Sequence, residues 1–132
     1  MWSFSTTLQA LFGAGLIAAA AWMAFRRRHH VRFKTFDEVA VVKELMVWAA
    51  RRLPDREGRI FTAKAMMLRP TELVALQSIS REDLAILAPF IDEWIDGKAP
   101  AQDLPAEYED YRPRTLRAFK HRLQSKKLWP SP

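Results

Sequence analysis

TFDEVAVVKELMVWAARRLP, residues 35–54, decides the fold class. Thr35 followed three residues later by Glu38 is a capping box: the threonine oxygen accepts from the N–H of residue 38, and the glutamate reaches back to the N–H of residue 35. A helix therefore starts at Phe36. At about 100° per residue, Phe36, Val39, Ala40, Val42, Met46, Val47, Ala49, Ala50 and Leu53 fall on one broad arc. Pro54, with Asp55 and Gly58 behind it, ends the helix. On the other side Val41, Leu45 and Trp48 line up at i, i+4 and i+7. One amphipathic helix in a small domain needs one buried stripe, so this second stripe either packs beneath a later helix or serves as a partner-binding surface.

Downstream, Thr62–Leu68 reads as a short apolar-rich helix, and Pro70 suits the first turn of another, with Leu73, Val74 and Leu76 pointing inward. Ser80 with Asp83 repeats the N-cap pattern and opens a helix to Asp96, with Leu84, Leu87, Ala88, Phe90, Ile91, Trp94 and Ile95 on one arc. Gly97 stops it. Pro89 inside it is expected to kink or split the helix. Residues 98–112 read as a linker with a short helical turn carrying Tyr108 and Tyr111, and Pro113 opens a last helix to about Lys127. No segment alternates apolar and polar residues long enough to predict a strand.

Upstream the chain changes character. No charged residue precedes Arg26, and between Leu8 and Phe25 the only clearly polar side chain is Gln9. At 1.5 Å of rise per residue this run spans roughly 27 Å, close to the thickness of bilayer hydrocarbon. Trp2, Phe4, Trp22 and Phe25 sit where interfacial aromatics belong. A cleaved signal peptide needs basic residues ahead of the apolar run, and Met1 to Thr7 has none. Residues 1–25 thus read as a transmembrane anchor and 26–34 as a basic juxtamembrane segment. Arg26, Arg27, Arg28, Arg32 and Lys34 set the topology: N-terminus outside, C-terminal domain in the cytoplasm or matrix, in a bacterial or mitochondrial inner membrane. Within the anchor, Ala10, Ala14 and Ala18 recur every four residues with Gly15 and Ala19 beside them, a spacing that lets helices pack closely in lipid. The expected fold is all-α: a single N-terminal transmembrane helix, a small helical soluble domain at 35–97, the linker at 98–112, and a basic C-terminal helix and tail at 113–132.

The net charge of +6 is unevenly spread. Residues 70–111 hold ten acidic residues against two basic ones, whereas after Tyr111 come Arg112, Arg114, Arg117, Lys120, Arg122, Lys126 and Lys127 with no carboxylate. These seven cations lie beside a thin apolar stripe of Leu116, Phe119 and Leu123. They point to an anionic lipid surface, an acidic partner, or docking on the chain's own acidic middle.

The absence of cysteine removes disulfides, thiolate metal sites and cysteine nucleophiles. His29 and His30 stand among arginines, which disfavours a bound cation, and His121 stands apart from both. The four glycines are not spaced for a phosphate loop. Glu82, Asp83, Asp92 and Glu93 fall on the outer arc of their helix, as a solvated face does. A helix-turn-helix over Thr71–Leu87 fits poorly, because its second helix would open with Arg81, Glu82 and Asp83 and turn two carboxylates toward phosphates. The expectation is non-enzymatic: a single-pass membrane accessory subunit or adaptor that binds other membrane-protein subunits of a larger assembly, with no cofactor, metal or small-molecule substrate. The second expectation is a membrane-tethered binder of anionic lipid or nucleic acid through the basic C-terminal helix, nucleic acid being the less favoured of the two.

Overall fold

The capping box forms as its residues require. The Thr35 hydroxyl accepts from the Glu38 N–H at 3.2 Å, and Glu38 Oε2 accepts from the Thr35 N–H at 3.3 Å. Helix α1 follows, Phe36–Ala50. In the computed structural model, which describes residues 14–21, 30–105 and 107–131, α1 is succeeded by α2 (Asp55–Met67), a 3-10 turn (Val74–Leu76), α3 (Arg81–Ile95) and α4 (Arg112–Ser125). Two three-residue strands, β1 (His30–Arg32) and β2 (Ser78–Ser80), pair antiparallel, with His30 opposite Ser80, Val31 opposite Ile79 and Arg32 opposite Ser78.

Helix α1 occupies the centre. Val39, Val41, Val42, Leu45, Met46 and Ala49 are all buried, which takes in both apolar stripes. The reason is that α1 packs against α2, α3 and α4 at once; a helix apolar on more than one face has to be enclosed. Its hairpin with α2 is tight at Gly58, where an added Cβ would run into the Ala50 carbonyl oxygen. Helix α3 contributes Leu84, Leu87, Ile91 and Trp94 to the core, and α4 contributes Leu116, Phe119 and Leu123. Phe33 stacks on Phe119 with ring centroids 6.0 Å apart, so the last helix closes over the segment that leads into the first.

Helices α3 and α4 end alike. The Gly97 N–H donates to the Trp94 carbonyl and the Lys98 N–H to the Glu93 carbonyl, with Gly97 at φ 87°. At the end of α4 the Lys127 N–H reaches the Gln124 carbonyl and the Leu128 N–H the Leu123 carbonyl, with Lys127 at φ 57°. Both are Schellman caps, one on the expected glycine and one on a lysine.

Several expectations are corrected. The all-α reading misses the β1–β2 pair, whose strands are too short to show a period-two pattern. The transmembrane anchor at 1–25 lies largely outside the described residues. Of it, residues 14–21 form an exposed eight-residue helical piece, about 12 Å long. Among the described residues no helix is long and apolar enough to cross a membrane. The apolar run satisfies the compositional requirement for a span, but a span also needs a helix of matching length, and of this run only residues 14–21 are among the described residues. The single-pass assignment, the inner-membrane placement and the topology built on them are therefore not supported. Ala14, Gly15, Ala18 and Ala19 lie in that exposed piece, while Ala10 and Arg26, Arg27 and Arg28 lie outside the described residues. Arg32 belongs to β1, and Lys34 leads into α1, its N–H donating to Glu38 Oε2 at 2.6 Å.

Element boundaries also move. Helix α2 begins at Asp55 instead of Thr62, α3 runs through Pro89 without splitting, and residues 107–108 make a turn and no helix. Pro70 opens no helix. Only a 3-10 turn follows, and Leu73 and Leu76 point outward.

Candidate functional site

Gln77 explains why those two leucines face solvent. Its Oε1 accepts from the Arg69 N–H at 2.7 Å, and its Nε2 donates to the Arg69 carbonyl at 2.7 Å and to the Glu72 carbonyl at 3.0 Å. One side chain thus pins residues 69–77 into a closed loop, where a helix would have turned Leu73 and Leu76 inward. At the loop's root the Leu68 carbonyl accepts from Lys43 Nζ at 2.9 Å, and this anchors it to α1. The result is an apolar edge in which Met67, Leu73 and Leu76 are 78%, 74% and 71% exposed.

Beside this edge runs a groove of about 490 Å³. Buried Met46, Leu68 and Ile79 form its base, and Met67 and Leu76 its apolar rim. The polar side consists of His30, Lys64, Gln77, Ser78, Ser80 and Asp83. Asp83 stands at the start of α3, where its N–H donates to the Ser80 hydroxyl at 3.1 Å. Its carboxylate takes Lys64 Nζ at 2.9 and 3.0 Å and ties α2 to α3 across one end of the groove.

Strand β2 lines this groove with all three of its residues, Ser78, Ile79 and Ser80. The Phe33 N–H donates to the Gln77 carbonyl at 3.1 Å, so the pair 33/77 is a hydrogen-bonded one. Alternation makes 31/79 the next such pair, and the N–H and C=O of Ser78 therefore point away from β1.

The residues singled out in the sequence fall elsewhere. Val41 and Leu45 are fully buried, so they form no partner surface. Trp48 is half-buried, packed edge-on against Phe90 and Trp94 at 5.8 and 5.5 Å and covered by the Arg52 guanidinium at 3.5 Å. The second stripe of α1 packs beneath α3. A shallower hollow of about 400 Å³ beside it is lined by Ala40, Lys43, Glu44, Val47, Trp48 and Arg51.

Three of the seven tail cations are used inside the fold. Arg112, 1% exposed, donates to Glu44 at 2.8 Å, to Asp110 at 2.9 to 3.2 Å, and to the Pro100 carbonyl, and lies over the Trp94 ring. Its hydrogen bonds hold the Asp110 carboxyl below the usual carboxylate range, against the opposing effect of partial burial. Burial, reinforced by Glu44 and Asp37, pushes the Tyr111 hydroxyl up. Lys120 pairs with Asp92 at 2.6 Å and Arg122 with Glu38 at 2.8 Å. Arg114, Arg117, Lys126 and Lys127 remain exposed. Among the described residues no cluster of three or more histidines and carboxylates is placed to hold a metal ion.

The groove was not legible beforehand because its apolar rim reads in sequence as the inner face of a helix. The one local signal was Gln77, a polar residue where that helix would need an apolar one. Compared with known proteins, the chain matches no family model, no curated protein and no solved structure.

Proposed function

We propose that the domain is an adaptor that binds a protein partner through the groove between α2, the 69–77 loop and β2. The observation that supports this reading is a groove lined by the strongly exposed Met67 and Leu76 together with all three residues of β2, Ser78, Ile79 and Ser80. Large apolar side chains clustered in this way and rimmed by polar ones are the usual mark of a protein-binding surface. Methionine at such a surface adapts its shape to what it meets. An extended segment adding beside β2 would gain main-chain hydrogen bonds from Ser78 and apolar contacts from the rim.

A photo-crosslinking amino acid at position 67, and in parallel at position 86 on α3, tests this in the full chain. A discrete adduct from position 67 that is absent from position 86 and lost with Leu76→Glu is the expected result. The same adducts from both positions, or none from position 67, would overturn the reading. Unchanged melting temperatures in the variants confirm that the fold is intact.

A further inference from the structure

We propose that Met67 makes partner binding in the groove redox-sensitive: oxidation of its thioether to the sulfoxide by hydrogen peroxide turns the apolar rim polar and weakens the contact. This rests on the groove being the protein-binding site and adds how that site is regulated. The chain has no cysteine, so all of its sulfur is methionine sulfur and no thiol competes for the oxidant. Burial sorts the three methionines among the described residues. Met46 is 2% exposed at the base of the groove, which keeps its sulfur from solvent. Met66 and Met67 close α2 at 57% and 78% exposure. Consecutive helix residues point about 100° apart, and Met67 lines the groove whereas Met66 does not. Two reachable thioethers thus stand side by side, one on the rim and one off it.

The reaction is a single oxygen transfer. The sulfur lone pair attacks one peroxide oxygen, the S–O bond forms as the O–O bond breaks, and the departing hydroxide takes the proton of the transferred oxygen and leaves as water. Sulfur is oxidised by two electrons and the peroxide is reduced by two. A flexible apolar side chain, adaptable at a binding surface, becomes a polar and chiral one. Its S–O dipole has to give up water when a partner docks, at a cost that a thioether does not incur. The fold is untouched, because most of Met67 already lies in solvent. A docked partner covers the rim, so the free chain is the form that oxidises. Sulfoxide reductases, one for each epimer, reverse the change.

A photo-crosslinking amino acid at position 76, which lines the same groove, reads this in the full chain. The purified protein is treated with hydrogen peroxide, the peroxide is destroyed with catalase, and only then is a lysate of the source cells added, so that the partner stays unoxidised. Peptide mass spectrometry should find sulfoxide at Met66 and Met67 and the thioether intact at Met46. The adduct given by the untreated chain should be lost on treatment, kept in Met67→Leu, lost in Met66→Leu and restored by the two reductases, with the melting temperature unmoved throughout. An adduct that survives sulfoxide formation at Met67, a loss that Met67→Leu does not prevent, or a Met67 that stays reduced while Met66 is converted overturns the switch and leaves the groove reading standing. No adduct from the untreated chain overturns the groove reading, and the switch falls with it.

Discussion

Arg122 on α4 grips Glu38 at the head of α1 through both carboxylate oxygens, at 2.8 and 2.9 Å, across 84 residues of chain. The same carboxylate accepts from the N–H groups of Lys34 and Thr35. A single acidic side chain thus caps one helix and fastens another. Glu38→Ala removes the cap return and leaves Arg122 without its partner, and is expected to cost about 3 kcal/mol of stability. Arg122→Ala should cost less, because it leaves the cap in place. Urea denaturation of the two single variants and the double variant should give a coupling energy of about 1–3 kcal/mol; additive losses would mean that the two side chains act independently.

Arg112 is the other ionic centre, and it makes an acid-dependent prediction. Asp110 has a lowered pKa in the folded chain, so the stability it contributes is fully present above the ordinary value of 3.8 and is lost as the pH falls through its lower folded value. Arg112→Ala should cost about 3 kcal/mol near neutrality and flatten the stability profile below that value. Arg112→Lys should recover only part, since an ammonium cannot reproduce the guanidinium fork shared by Asp110, Glu44 and the Pro100 carbonyl. An unchanged acid limb in Arg112→Ala would place the linkage on other carboxylates.

Gly58→Ala tests the close approach of α2 to α1. Alanine is the better helix former by about 1 kcal/mol, yet its methyl group would meet the Ala50 carbonyl oxygen, which is backbone and cannot turn aside. Net destabilisation of about 1–2 kcal/mol is expected. A rise in melting temperature would show that the hairpin opens at little cost.

Lys127→Gly should act in the opposite direction. Lys127 holds a positive φ at the cap of α4, a conformation that costs a side-chain-bearing residue about 1 kcal/mol and glycine almost nothing. A gain of that size, read from the melting temperature, is the expected outcome; a loss would mean that the lysine side chain contributes contacts larger than the strain.

The elements that sequence reading recovered are those whose signals are local. Thr35 with Glu38, Ser80 with Asp83, and Gly97 each act on backbone groups within a few residues, so neighbours in sequence suffice to place them. Of the apolar arc of α1, Val39, Val42, Met46 and Ala49 are buried, while Phe36 at its start is exposed. What escaped depended on partners far along the chain: which of the α4 cations meet Glu38, Glu44 and Asp92, which later helix covers the second stripe of α1, and that Val31 and Ile79 face each other in strands of three residues. The apolar run near the N-terminus suggested a span on composition alone, whereas among the described residues no helix is long and apolar enough to cross a membrane. Leu73 and Leu76 were placed inward on the strength of their chemistry, while the geometry was decided by the amide of Gln77.

The stacking of Phe33 on Phe119 carries a consequence for biogenesis. During synthesis α1, α2 and α3 emerge first and can collapse together, but the ring of Phe33 and the neighbouring inner surface stay uncovered until α4 has been made. Until then one apolar flank lies open, the kind of surface that chaperones capture and that drives self-association. Truncation ahead of α4 would fix the chain in that state, whereas slower translation between α3 and α4 would only prolong it.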